Sequence, residues 1–347
     1  MSKTVKTYWG TNGSPCNAPF NNMYFTVHGK VSPCWKLPGF CDAWSEERSI
    51  MDIWKGEHFQ KYRDSLMECN FLNRCKECEV EIENDVWPLA KAYQQFGTND
   101  NGYPTLMELE LSNQCNLECI MCSGELSSGI RKKEGKPPLP QIYTDKFITQ
   151  LEEFVPHLKE LRFNGGEPFS QKIVLDICDM VAEVNPSLAI NMATNGTVFN
   201  KRVQHILNNN NISINISIDS LIPERYEQIR INGDFEVLMK NVEIYKDYCH
   251  TNNRNLSIMV NPMRNNWEEM DHFAEWASEI KAALWYNTIL YPKHLSIWNL
   301  SSEELENIYD VLHNKVLNMD NAIKNYKVFK HLVENQIRNW LLDSYVL

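Results

Sequence analysis

No apolar run in this sequence approaches the roughly 18 residues that a membrane span requires. Its start, Met-Ser-Lys-Thr-Val-Lys-Thr-Tyr-Trp-Gly, lacks the apolar stretch of an export signal. Both absences point to a cytoplasmic protein without a membrane partner. Positive charge is also in deficit. With 34 Lys and Arg against 45 Asp and Glu, the formal net charge is −11, which argues against a sequence-independent grip on nucleic acid. No internal repeat or low-complexity tract is visible. At 43% hydrophobic and 23% charged over 347 residues, the chain is not a disordered one and is long enough for one large domain or two ordinary ones.

Cysteine, by contrast, is plentiful. Eleven are present, and without an export signal they read as metal ligands held reduced rather than as disulfides. Six precede residue 79, three lie within eight residues at Cys115, Cys119 and Cys122, and two stand apart. Those two, Cys178 and Cys249, sit in helical patterns and read as core residues. The stretch Glu110-Leu-Ser-Asn-Gln-Cys-Asn-Leu-Glu-Cys-Ile-Met-Cys122 puts the three clustered thiols on a tight loop after a strand-like segment. Thiolates so close together suit a soft metal or an iron–sulfur cluster, and the locally missing fourth ligand leaves an open position.

The N-terminal 83 residues carry Cys16, Cys34, Cys41, Cys69, Cys75 and Cys78 among turn formers and tryptophans, as in a small module that needs metal to hold it together. Met23 to Cys34 reads as a hairpin turning at His28-Gly29. Ser49 then opens a capped helix, broken at Gly56 and resumed through Leu66, and Cys75-Lys-Glu-Cys78 closes the module. Cys16, Cys34, Cys75 and Cys78 form the natural four-ligand set, which suits a closed structural zinc site as well as a cubane.

Residues 84–104 read as a linker with a short helical candidate around Leu89 to Phe96. From Thr105 the chain alternates strands near 105–111, 159–164, 187–193, 212–218, 255–260 and 283–290 with helices near 145–155, 171–184, 199–209, 235–250 and 267–281. This pattern predicts an α/β fold, a partial (β/α)6 TIM-like barrel over 105–295, with functional residues at the C-terminal strand ends. The small Cys-rich domain, 1–83, precedes it and a helical extension, 296–347, follows. The motifs fall at those strand ends: the cysteine loop, Asn164-Gly-Gly-Glu-Pro168, Thr194-Asn-Gly196 and Ser217-Ile-Asp-Ser220.

The C-x3-C-x2-C spacing, followed one βα unit later by Gly-Gly-Glu-Pro, resembles the signature of the radical S-adenosylmethionine (radical SAM) enzymes. The N-terminal pattern, Cys16-x12-Gly29-x4-Cys34 followed by Ser-Ile-x-x-Ile-Trp and C-x2-C, is similar to their SPASM/twitch auxiliary-cluster domain. That family usually carries the domain after the barrel; here it comes first.

The resemblance implies a SAM-binding [4Fe–4S] cluster on Cys115, Cys119 and Cys122, and one auxiliary [4Fe–4S] cluster on Cys16, Cys34, Cys75 and Cys78. Cys41 and Cys69 fall outside this pattern. It implies further that Asn164, Gly165 and Gly166 bring backbone to the methionyl amine of SAM, with Glu167 orienting the loop. Asn195, Ser217 and Asp219 match positions at the SAM ribose or beside it, Arg230 matches an arginine for the SAM carboxylate, and Met121 stands where an aromatic often packs on adenine. Without the family, Asn195-Gly196 is only a turn and Arg230 only a surface helix residue.

The implied activity is one-electron cleavage of SAM to a 5′-deoxyadenosyl radical that takes a hydrogen atom from substrate. An external reductant of the flavodoxin or ferredoxin type supplies the electron. The group's substrates make a ribosomal peptide the first expectation (cross-linking, epimerisation or oxidation), with a separate protein gripping the leader. Dehydrogenation of a small molecule such as a cyclitol or nucleotide is the alternative. A non-catalytic iron–sulfur or zinc protein for binding or electron transfer is the rival class, and it would not need the Gly-Gly-Glu-Pro segment. Between Gly124 and Tyr143, Arg131, Lys132, Lys133 and Lys136 form a basic insertion, a solvated loop or a lid over an anionic substrate segment. Residues 302–347 read as two packing helices.

Overall fold

The computed structural model describes residues 13–37, 42–83 and 89–344; Cys41 and the first residues of the 84–104 linker lie outside them. Two compact units are present: Met1–Gln114, Gly135–Met192 and Lys201–Ile212 make the first, and Cys115–Glu134, Ala193–Asn200 and Ser213–Leu347 the second.

In the first unit the strands are β1 (Asn22–Phe25), β2 (Lys30–Ser32), β3 (Asp42–Ala43), β4 (Leu106–Leu109), β5 (Glu160–Phe163) and β6 (Ala189–Thr194), in the order β3-β2-β1-β4-β5-β6. β1, β2 and β3 pair antiparallel, with Gly29 in the left-handed region (φ 74°) at the expected hairpin turn. β4, β5 and β6 are parallel. The second unit carries β7 (Asn211–Ser217), β8 (Leu256–Val260) and β9 (Ala283–Tyr286), again parallel. The α/β class, the six barrel strands and the helix after each of the first five follow the sequence reading. The last strand stops at Tyr286 rather than 290, where the Asn287 amide makes a bond to the Val260 carbonyl (2.8 Å) before the chain turns away.

One pairing has no local signature in the sequence. β1 lies parallel to β4, with Asn22 opposite Leu106 and Tyr24 opposite Glu108, so the hairpin of the Cys-rich segment extends the sheet that carries the barrel strands of this unit.

Local chemistry explains the helix boundaries. Ser49 and Asp52 make a reciprocal capping box on Ile50–Trp54, and the chain resumes helix at Glu57–Met67 after Gly56. Asp234 caps Phe235–Thr251, and Ser301 with Glu304 boxes Ser302–Asn318. The C-terminal extension buries Phe329, Leu332, Val333, Ile337 and Leu341, and its middle turn, Leu332–Ile337, is π-helical. Cys178 and Cys249 are fully buried, as core residues should be. Among the described residues no helix is long and apolar enough to cross a membrane.

Candidate iron–sulfur and SAM site

In the first unit, Cys16 precedes the short helix Ala18–Asn21, Cys34 follows β2, and Cys75 and Cys78 lie one turn apart at the start of helix Cys75–Glu83. All four line a single pocket, together with Lys36, Arg74 and Tyr93. Burial pushes the Cys16 and Cys75 thiols up to about 12, and the nearby sulfurs add to both shifts. Cys34 is raised well above the ordinary thiol range, by burial and then by Cys16, Cys75 and Cys78. Four mutually repelling sulfurs in one pocket become thiolates only with a cationic group among them, and thiolates are the donors an iron–sulfur cluster uses. Lys36, held by Glu81 at 2.7 Å, adds positive charge. Among the described residues no group of three or more His, Cys, Asp or Glu closes on one ion-sized point; the fit rests on the donor set and the shared pocket. Cys69 packs instead against Leu66, Phe71 and Ile82.

In the second unit, the cysteine loop is pinned by its backbone. Glu118 N–H donates to the Ile231 carbonyl (3.0 Å), Ile120 N–H to that of Ile229 (2.9 Å) and Cys122 N–H to that of Cys119 (2.9 Å). Leu117 is buried, and its carbonyl accepts from Ser127 Oγ at 2.8 Å. Cys115, Cys119 and Cys122 stay partly exposed on this frame. The Leu117 amide lies 3.4 Å and Asn195 Nδ2 3.9 Å from Cys115 Sγ, and Arg230 Nη1 lies 3.8 Å from Cys119 Sγ. Burial raises the Cys119 thiol and the Arg230 guanidinium opposes that rise. Three thiols with N–H donors already turned toward two of them fit thiolate ligands of a cluster.

Of the other residues expected here, Asn195 is both turn and neighbour. Its Oδ1 accepts from the Thr197 amide (2.9 Å) and hydroxyl (2.7 Å), while its Nδ2 reaches Asn116 Oδ1 (2.9 Å) and the Cys115 sulfur. Arg230 is not a surface residue. It is 6% exposed and paired with the fully buried Asp219 at 2.6 Å, and its buried Nε has no hydrogen-bond partner among the described residues. Asp219 Oδ1 accepts from the amide (2.8 Å) and side chain (2.9 Å) of Asn261. Met121 packs on the cluster of Ile229, Met263, Ile289 and Leu295. Ser217 ends β7, half-buried. In the basic insertion, Lys133 pairs with Glu118 and Arg131 with Glu125.

Back in the first unit, Asn164 closes β5 with its amide on the Leu109 carbonyl (2.9 Å), and Gly165 and Gly166 take φ of 74° and 54°. Glu167 is fully buried: its amide donates to the Gln114 carbonyl (2.8 Å) and its carboxylate accepts from Phe169 N–H (3.1 Å). Gln171 Nε2 bridges the carbonyls of Ser112 (3.2 Å) and Gly165 (3.0 Å).

Two family models match the chain: "Radical SAM superfamily" over residues 109–277 and "Iron-sulfur cluster-binding domain", the SPASM model, over residues 16–79. The chain belongs to the radical SAM superfamily. Its SPASM domain stands at the N-terminal side of the radical SAM domain, and the cofactors that follow are SAM and [4Fe–4S] clusters. Curated relatives include a protein named GTP 3′,8-cyclase from Haemophilus influenzae (strain PittEE), 26% identical over 175 residues, 50% of each chain. Another of that name, from Alkaliphilus metalliredigens, is 30% identical over 139 residues, 40% of this chain and 42% of the relative. The chain thus spans about half the length, or less, of the curated relatives it matches. Among solved structures, SuiB of Streptococcus suis bound to S-adenosylmethionine aligns at 11% identity and TM-score 0.46, over 77% of this chain and 60% of that one.

The first unit also holds two carboxylates to which the sequence alone gave no role. Glu108 lies in β4 and Glu110 just beyond its end, two residues on, the spacing that puts both on one face of an extended chain. Buried Glu108 accepts from Asn22 Nδ2 and the Tyr93 hydroxyl, each at 2.8 Å, and lies 3.5 Å from Arg162. Glu110 accepts from the Tyr24 hydroxyl at 2.9 Å. The alternation Glu108-Leu-Glu110 in an otherwise apolar strand was the available signal.

Burial pushes the Glu110 carboxyl up to about 7, against the opposing bonds from Tyr24 and the Val27 amide. A raised carboxyl means the folded chain keeps a proton that the unfolded chain gives up from its ordinary value of 4.5. The stability this contributes is full below that value and is lost as pH rises through 7. Glu110→Gln is therefore expected to melt near wild type at pH 5 and higher than wild type at pH 8. A gain of about 1–2 kcal/mol there corresponds to a few degrees in thermal melts. Parallel melting curves at both pH values would count against a buried, proton-holding Glu110.

Proposed function

We propose that Cys115, Cys119 and Cys122 hold the SAM-binding cluster, that Cys16, Cys34, Cys75 and Cys78 hold the auxiliary one, and that the chain is a cytoplasmic enzyme oxidising or cross-linking its substrate by hydrogen-atom abstraction. The observation that carries this reading is the backbone-pinned C-x3-C-x2-C loop with donors on its sulfurs, in a chain that also holds the left-handed Gly165-Gly166 turn. A cluster held by Cys115, Cys119 and Cys122 would offer SAM an iron to chelate through its amine and carboxylate and would supply the electron for its one-electron cleavage to the 5′-deoxyadenosyl radical.

The protein's share is orientation. Arg230 keeps an unpartnered Nε for the SAM carboxylate, Asn164, Gly165 and Gly166 offer backbone to its amine, and Glu167 holds that turn in place. Asn195, Ser217 and Asp219 stand for the ribose side and Met121 for the adenine.

A ribosomal peptide is the first substrate class, taken from the resemblance to the SPASM/twitch group, whose members act on peptides and on small molecules. The electron would come from a flavodoxin- or ferredoxin-type donor, and a separate protein would hold the leader. A nucleotide substrate is the second reading, favoured by the relatives named GTP 3′,8-cyclase.

Anaerobic reconstitution is expected to give about eight irons per chain, for two four-iron clusters, and 5′-deoxyadenosine on adding SAM and reductant. Stoichiometric zinc without SAM cleavage would sink the proposal. Stimulation of cleavage by GTP, and none by peptides encoded beside the gene, would select the second reading.

A further inference from the structure

The contacts around Cys119 go beyond holding a ligand in place. Arg230 reaches three ways. Nη1 faces the Cys119 sulfur at 3.8 Å, Nη2 pairs with Asp219 at 2.6 Å, and Nε has no hydrogen-bond partner among the described residues. Behind it, Asp219 is fully buried and fixed by Asn261, whose amide and side chain both donate to Oδ1 (2.8 and 2.9 Å). Asn266 anchors the same corner, its Nδ2 donating to the carbonyls of Asp219 (2.7 Å) and Asn261 (2.9 Å). The guanidinium is thereby held in one orientation, bridging the buried Asp219 carboxylate and the Cys119 sulfur.

We infer that Asp219 and Arg230 act as a paired electrostatic tuner of the cluster on Cys119, the guanidinium favouring its reduced form through an N–H to the sulfur and the buried carboxylate limiting that effect. The inference rests on the proposed ligand set. Its physical basis is that reduction adds one negative charge to the cluster, which a fixed cation nearby stabilises and a fixed anion opposes. Hydrogen bonds to cluster sulfurs and local charge are the levers by which proteins set such potentials. Burial leaves the charges poorly screened. Arg230 is in this sense a positioning residue, acting on the electron step through Cys119.

The two members therefore carry opposite signs, which separates tuning from general damage. The experiment is an EPR-monitored redox titration of the reconstituted full-length chain without SAM, following the signal that disappears in Cys119→Ala. Arg230→Gln is expected to lower the potential, cutting the ratio of reduced to oxidised cluster at a fixed poise by about tenfold, or ~1.4 kcal/mol. Asp219→Asn is expected to raise that ratio by a similar factor, and Arg230→Lys, which keeps the charge, to recover much of the loss.

Shifts in the same direction for Arg230→Gln and Asp219→Asn, or none in either, would overturn the inference while leaving the ligand assignment intact. If Arg230→Gln loses its iron, Asp219→Asn alone decides: an upward shift supports tuning, and an unchanged or lower potential overturns it. If no signal is lost in Cys119→Ala, the ligand assignment is overturned and the tuning with it.

Discussion

Replacing Cys115, Cys119 and Cys122 together by alanine is expected to abolish 5′-deoxyadenosine formation and to leave about four of about eight irons per chain. The loop that carries these residues is built without metal. The amides of Glu118 and Ile120 bond to the carbonyls of Ile231 and Ile229, and the buried Leu117 seats the loop with Ser127 on its carbonyl. Removing three partly exposed sulfurs deletes little packing, so the variant should fold with its far-UV circular dichroism unchanged. Half-loss of iron would then report ligation. The remaining iron would belong to the pocket of Cys16, Cys34, Cys75 and Cys78, in a different compact unit. Full iron content in the triple variant would mean that the ligands are misassigned. Loss of all iron would mean that the two cysteine sets do not load independently.

The barrel strands were legible because each announces itself locally. In β7, Ile212, Ile214 and Ile216 alternate with Asn211, Ser213, Asn215 and Ser217, and the structure buries the isoleucines and leaves the polar residues half-exposed. The helix start at Ser49 was equally readable, and its side chain makes the expected cap; the caps at Asp234 and Ser301 came from the structure.

What escaped was long-range. Nothing in Asn22-Met-Tyr-Phe25 says that it pairs with Leu106–Leu109, more than 80 residues on, because parallel pairing leaves no turn to recognise. The burial of Glu108 escaped for the same reason: its partners Asn22 and Tyr93 come from separate elements. Arg230 shows the limit most clearly. At the end of a short helix it has the sequence of a solvated residue, and only the fold brings Asp219 and Cys119 to it.

Gly166→Ala is expected to raise the KM for SAM by at least about tenfold with iron content retained, whereas Gly165→Ala should be milder. Both positions have positive φ, 54° and 74°, where an L side chain adds roughly 1–2 kcal/mol of strain, so conformation alone does not separate them. The neighbours do. A Cβ on Gly166 would lie 2.4 Å from the Gln114 carbonyl oxygen and 2.9 Å from that of Ser112, both backbone atoms. Neither can swing aside, and Gln114 already accepts the Glu167 amide at 2.8 Å, so the clash must displace the turn itself. A Cβ on Gly165 would meet the Glu110 side chain, at 2.2 Å from Cγ, and a side chain can rotate at the loss of its bond to Tyr24. If the two glycines offer backbone to SAM as proposed, the displaced turn weakens binding while the cysteine ligands stay in place. Titrating SAM against both variants at matched iron tests this. Equal affinities in the two variants, or wild-type affinity in Gly166→Ala, would remove the turn from the SAM site.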